Sequence, residues 1–151
     1  MKKLFYIIPL MLFTISCTIK PEPIHYGEDN CILCQMTIMD HRYGTEMVTS
    51  KGKIFKFDSI ECMVDYFKET SKKGEEYRYI LFTPFDQPGK LTDALTGYVL
   101  HSKNLPSPMG MYLTAFEDKA AAMRFQQEKG GRIYDWKGLV EFFEVMKREM
   151  R

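Results

Sequence analysis

One order of residues occurs twice in this chain and limits the folds open to it. Ile54-Phe55-Lys56-Phe57-Asp58 and Tyr112–Glu117 each read as a strand closing on a phenylalanine and an acidic residue. A helical pattern, a glycine and a further strand follow in both places. Upstream of the first, Lys51-Gly52-Lys53 is a turn between two strand-like runs, Thr45–Thr49 and Ile54–Phe57, which predicts a β-hairpin. Asp58 is then expected as a helix N-cap, with Glu61 as its reciprocal partner. Ile60, Met63, Val64 and Phe67 fall at i, i+3, i+4 and i+7, one apolar stripe of a helix that stops at Ser71-Lys72-Lys73-Gly74. Tyr77–Phe82 is the next strand.

The second half predicts strands at Tyr98–Leu100 and Met111–Phe116, separated by a loop containing Leu105-Pro106-Ser107-Pro108. A helix opened by Glu117-Asp118 ends at Gly130-Gly131, a short strand covers Arg132–Tyr134, and a last helix carries Trp136, Leu139, Val140 and Phe143 on one face. The repetition predicts a duplicated ββαβ unit. The expected class is α+β with small, mostly antiparallel sheets, the first lobe over residues 31–90 and the second over 91–151.

The start of the chain is different. Lysines 2 and 3, the twelve-residue apolar run Leu4–Ile15 and the small Ser16 have the layout of a signal peptide, residues 1–16. The run is too short for the ~20 residues of a membrane span. Its removal takes two lysines and no acid, moving the formal charge from +1 to −1. A near-neutral chain lacks the footprint of a nucleic-acid binder. With 45% hydrophobic and 14% aromatic residues and no strict repeat, disordered, collagen-like and coiled-coil classes are excluded. Thr14-Ile15-Ser16-Cys17 resembles a bacterial lipobox, which predicts lipidation of Cys17. Residues 17–30, with two prolines and a glycine, are expected as a flexible tether. Thr18 is not an inner-membrane retention signal of the Asp type, so the expected place is the periplasmic face of the cell envelope, the outer membrane rather than the inner.

Chemistry concentrates in Cys31-Ile32-Leu33-Cys34-Gln35-Met36. Haem attachment would need histidine where Gln35 stands. A closed zinc site wants four nitrogen or sulfur ligands, and only Cys62 and His25, His41 and His101 remain to complete one. A thioredoxin-type pair belongs at a helix N-terminus after a strand, which is not the pattern here, although Cys31 and Cys34 cycling between thiol and disulfide stays an alternative. A structural disulfide suits an oxidising compartment. Cu(I) takes thiolate and thioether together, and Cys34 and Met36 would share one side of an extended segment. Met109, in Ser107-Pro108-Met109-Gly110, is placed to project from a loop. Met63, Met123 and Met146 lie in helices and are expected in the core. Cys62, on the first helix, is expected as a small buried hydrophobe. No Ser/His/Asp set, phosphate loop or HExxH motif argues for an enzyme.

The Cys31–Met36 cluster, Phe57-Asp58-Ser59-Ile60-Glu61-Cys62-Met63, Pro108-Met109-Gly110, and Ala115-Phe116-Glu117-Asp118 with Gly130-Gly131 occur in an order similar to the NosL family of copper-binding lipoproteins, with Gln35 in place of the family's usual glycine. The resemblance implies a non-enzymatic Cu(I) chaperone acting in maturation of the copper–sulfide centre of nitrous oxide reductase. It implies Cys34, Met36 and Met109 as metal ligands and Cys31 as a second thiolate or redox guard. The implied partners are a copper-receiving enzyme or its assembly system and, through the lipid anchor, the membrane.

Overall fold

A computed structural model describes residues 18–149 of the protein. The expected signal peptide and Cys17 lie outside the described residues. Ten elements follow in order: β1 (Thr45–Thr49), β2 (Ile54–Phe57), α1 (Ile60–Ser71), β3 (Tyr77–Phe82), β4 (Thr92–Asp93), β5 (Tyr98–His101), β6 (Leu113–Phe116), α2 (Lys119–Lys129), β7 (Arg132–Tyr134) and α3 (Trp136–Glu149). They form two antiparallel sheets, of order β2-β1-β3-β4 and β6-β5-β7. Each unit folds its first two strands as a hairpin, crosses over a helix, and adds the third strand on the other side of the first. The α+β class and the repeated ββαβ order of the sequence are therefore both present.

Position in the sheet explains the burial patterns. β1 is central in its sheet, and all five of its residues are buried, polar ones included. β2, at the edge, alternates in the way a half-covered strand does. The β1–β2 turn closes with Thr49 N–H donating to Lys53 O at 2.9 Å, and Gly52 takes φ +86°, which glycine adopts without strain.

The cap of α1 is one residue later than expected. Ser59, not Asp58, is the N-cap: its backbone is extended and its side chain accepts from Cys62 N–H at 3.3 Å. That shift frees the Asp58 carboxylate for another use. In the second unit Asp118 caps α2, accepting from Ala121 N–H at 2.8 Å.

One core joins the two units. Met47, Phe57, Met63 and Phe82 pack in the same buried cluster as Val99, Leu113, Leu139 and Phe143, because α3 returns across α1. Leu100, Phe116, Ala121 and Ala122 form a smaller cluster under α2. Met63 is buried as expected, Met146 packs against the main core, and Met123 instead lies 45% exposed on α2. The two short alanines beside Met123 already fill the space between α2 and its sheet, so the longer side chain faces water.

The segment expected as a tether is docked along most of its length. Glu22 N–H donates to Glu46 Oε1 at 3.0 Å, and Lys56 Nζ donates to Pro23 O at 3.0 Å and Asp29 Oδ2 at 2.8 Å. Ile24 is buried, and Tyr26 stacks on His41 at 3.9 Å. A Cβ at Gly44 would stand 2.7 Å from Tyr26 Oη, so glycine there lets the strap close on the sheet. Composition marked the prolines but not the carboxylate and lysine waiting on β1 and β2.

Candidate metal centre

Residues 30–37 form a narrow loop closed by a bridge between Asn30 and Thr37. Within it, Cys31 N–H donates to Met36 O at 2.8 Å and Gln35 N–H to Cys31 O at 3.0 Å. Gln35 has φ +64°, in the left-handed region. That is the conformation a glycine would occupy most easily. Gln35 offsets the cost in part by donating from Nε2 to Ile32 O at 2.8 Å. The left-handed turn also removes the extended geometry from which Cys34 and Met36 were expected on one side. Ile32 N–H donates to Lys56 O at 3.0 Å and fastens the loop to β2, whose end leads directly into Asp58.

This attachment gathers four ligand groups. The sulfurs of Cys31, Cys34 and Cys62 and a carboxylate oxygen of Asp58 all lie within 4.8 Å of one another. A tetrahedral ion with bonds of about 2.3 Å to sulfur needs ligand pairs about 3.8 Å apart, so small side-chain adjustments suffice. Cys31, Cys62 and Asp58 are buried, and Cys34 is half-buried at the mouth. No disulfide joins the described cysteines.

The hydrogen bonds around the sulfurs are asymmetric. Cys31 is held down to about 6 by the donating Cys62 thiol, against burial, with backbone N–H groups of Cys34, Asp58 and Leu33 adding to the effect. The Cys62 thiol is pushed up by its bond to Cys31, by burial and by the Asp58 charge. Cys34 is also raised, chiefly by burial. The three thiols are thus unequal, Cys31 being drawn toward the thiolate and Cys34 and Cys62 away from it. Asp58 Oδ1 is buried with no hydrogen-bond partner, an acceptor with nothing to accept.

Cys31 and Cys34, both expected from the sequence, stand in the cluster. Cys62 is buried as expected but points its sulfur into the site. Asp58 joins it because Ser59 has taken over the cap. The signal for both was the short step from Phe57-Asp58 to Cys62, four residues that the start of a helix brings together. Met36 and Met109 lie at the surface, 47% and 39% exposed. The Met109 loop is nevertheless tied to the turn that carries Cys62. Ser107 Oγ donates to Glu61 Oε1 and accepts from Tyr112 N–H at 2.8 Å, while Tyr43 Oη donates to Pro106 O at 2.7 Å. Burial raises the Glu61 carboxyl. None of the three histidines belongs to the cluster.

The NosL family model matches residues 23–141 of the chain. A solved structure, the crystal structure of the copper chaperone NosL from Shewanella denitrificans, superposes with a TM-score of 0.64 at 18% identity. The match covers 80% of this chain and 95% of that one. At that identity the likeness establishes the shared fold. No curated protein matches the sequence.

Proposed function

This chain belongs to the NosL family, and on that premise we propose that it carries Cu(I) and hands it to a copper enzyme of the cell envelope. The proposed client is the copper–sulfide centre of nitrous oxide reductase, and the protein itself is not an enzyme. The observation that carries the reading is three cysteine sulfurs converging within 4.8 Å at a half-open mouth. Copper is the cargo. Thiolates suit its soft monovalent ion, and three of them leave a position where an incoming sulfur can attach before an old ligand leaves. Cys34, the most accessible of the three, is the natural point of exchange. Exposed Met36 and Met109 would supply neutral, readily displaced thioethers on the way in and out. Lipidation of Cys17 would keep the carrier at the periplasmic face of the outer membrane.

X-ray absorption on the Cu(I)-loaded protein tests the ligand set, with two or three sulfur neighbours expected. Equal retention of Cu(I) by the wild type and Cys34→Ser in an anaerobic chelator competition would contradict it. One observation favours a second reading. The unpartnered oxygen of Asp58 beside three sulfurs makes up the four ligands of a tetrahedral zinc site, a number the sequence alone did not supply. Zinc that stays bound through three sulfurs and one oxygen when Cu(I) is offered would select that reading.

A further inference from the structure

We infer that the tip of the β1–β2 hairpin, together with the strap crossing it, is the face this protein lays on an anionic phospholipid bilayer. The cysteine cluster is then held at the other end of the same sheet, facing away from lipid. The inference rests on the proposed lipidation of Cys17 and adds to it an orientation.

The strap leaves little slack. Ile19 is half-buried, its Cγ1 3.5 Å from where a Cβ on Gly52 would stand. Glu22, Pro23 and Ile24 are fixed to β1 and β2 by the contacts described above. Only Thr18 separates the docked Ile19 from Cys17, and two residues span at most about 7 Å. An acyl chain on Cys17 therefore brings the hairpin tip to the headgroups rather than letting the domain swing on a leash.

The chemistry of the tip suits that position. Lys20, Lys51 and Lys53 are exposed, and no carboxylate occurs in residues 18–21 or 50–53. Lys53 Nζ sits over the Phe55 ring, 4.8 Å from its centroid. The adjoining residues 72–76, reached where Ser50 N–H donates to Glu76 O at 2.9 Å, contribute Lys72 and Lys73 against Glu75 and Glu76. They leave the balance to the three tip lysines. Three lysines are too few to hold a protein on a membrane unaided, but they add to an acyl anchor.

The same strand fixes the distance to the metal centre. β2 runs from the tip to Asp58, five residues on from Lys53, or about 17 Å of strand. Ile32 N–H on Lys56 O keeps the cysteine loop at that far end. A partner would reach Cys34 from the aqueous side without displacing lipid.

The test uses the full lipidated protein, in detergent and then added to vesicles of phosphatidylethanolamine and phosphatidylglycerol. A membrane-impermeant amine reagent reads Lys20 and Lys51, and a thiol reagent reads Cys34. On vesicles, labelling of both lysines is expected to slow about fivefold or more as headgroups come within a Debye length, while Cys34 alkylation changes less than about twofold. Unchanged Lys51 labelling or slowed Cys34 alkylation overturns the orientation. Intact mass separates the two levels: a Cys17 without lipid overturns the anchor and the orientation together. An acylated Cys17 with an unprotected Lys51 overturns the orientation alone.

Discussion

The two ββαβ units share a framework and differ at the few positions that make the candidate metal centre. Ile32 N–H donates to Lys56 O, the third residue of β2, and Phe85 N–H donates to Ala115 O, the third residue of β6. Ile32 and Phe85 each stand thirteen residues before the first strand of their unit, at Thr45 and Tyr98. The repeat thus includes the loop ahead of the strands. On this register Cys34 corresponds to Gln87, and Asp58 and Cys62 correspond to Glu117 and Ala121. The loop-to-acid contact is present twice. In the second unit it is Gln87 Nε2 donating to Glu117 Oε2 at 2.7 Å, with Lys90 Nζ at 2.9 Å, all near water. In the first it is a buried carboxylate among three sulfurs. The fold supplies the meeting point, and side-chain identity decides whether an ion pair or a cysteine–carboxylate cluster fills it.

The largest expected effect makes the first unit resemble the second. Cys62→Ala, the residue found at Ala121, should lower Cu(I) affinity by more than about a hundredfold, beyond what loss of an outer-shell partner gives. The fold should survive with a cost of about 1 kcal/mol, read by chelator competition and thermal melting on one preparation. If affinity is unchanged, the buried sulfur is packing only.

Asp58→Asn tests the carboxylate. For a Cu(I) site the affinity should fall no more than about tenfold, since hard oxygen is a poor ligand for a soft ion, whereas zinc affinity should fall further. Parallel titrations with both metals decide it.

A third contrast lies on the central strands, where fully buried Glu46 corresponds to Val99. Burial raises the Glu46 carboxyl to about 7, with the Glu22 backbone N–H and the Lys56 charge opposing and the Glu22 and Asp29 charges reinforcing the shift. In the unfolded chain it returns to about 4.5. Folded protein then holds the proton over a window in which unfolded protein has lost it. The contribution of this group to stability is full below about pH 4.5 and is lost as the pH rises to about 7. Glu46→Gln should therefore stabilise the protein at pH 8 by roughly 1–3 kcal/mol and leave it nearly unchanged at pH 4.5. Urea midpoints at the two pH values read the difference. An equal gain at both would place the effect elsewhere than in ionisation.

The smallest effect concerns the hairpin loops. The β5–β6 loop, residues 102–112, is longer than the β1–β2 turn and reaches α1 through Ser107 and Glu61. Met109→Leu should weaken Cu(I) binding a few-fold, as expected for a displaceable thioether, with no change in melting temperature. A loss as large as that of Cys62→Ala would make Met109 a principal ligand.

The sequence determined most elements to within a residue or two, from Thr45–Thr49 through Arg132–Tyr134, but not the two-residue strand Thr92–Asp93, which exists only by pairing with β3. Apolar period, turn residues and caps are local signals, and local signals survive in a string of letters. It also marked Cys31 and Cys34, which sit close together in a loop. What it could not contain was the pairing of that loop with β2, a contact between residues more than twenty positions apart. Tertiary structure alone brought Cys62 and Asp58 to Cys31, moved the cap to Ser59, and laid the strap over Glu46 and Lys56. Those outcomes depend on which buried polar groups find partners once the sheet has closed, and only the folded chain settles that competition.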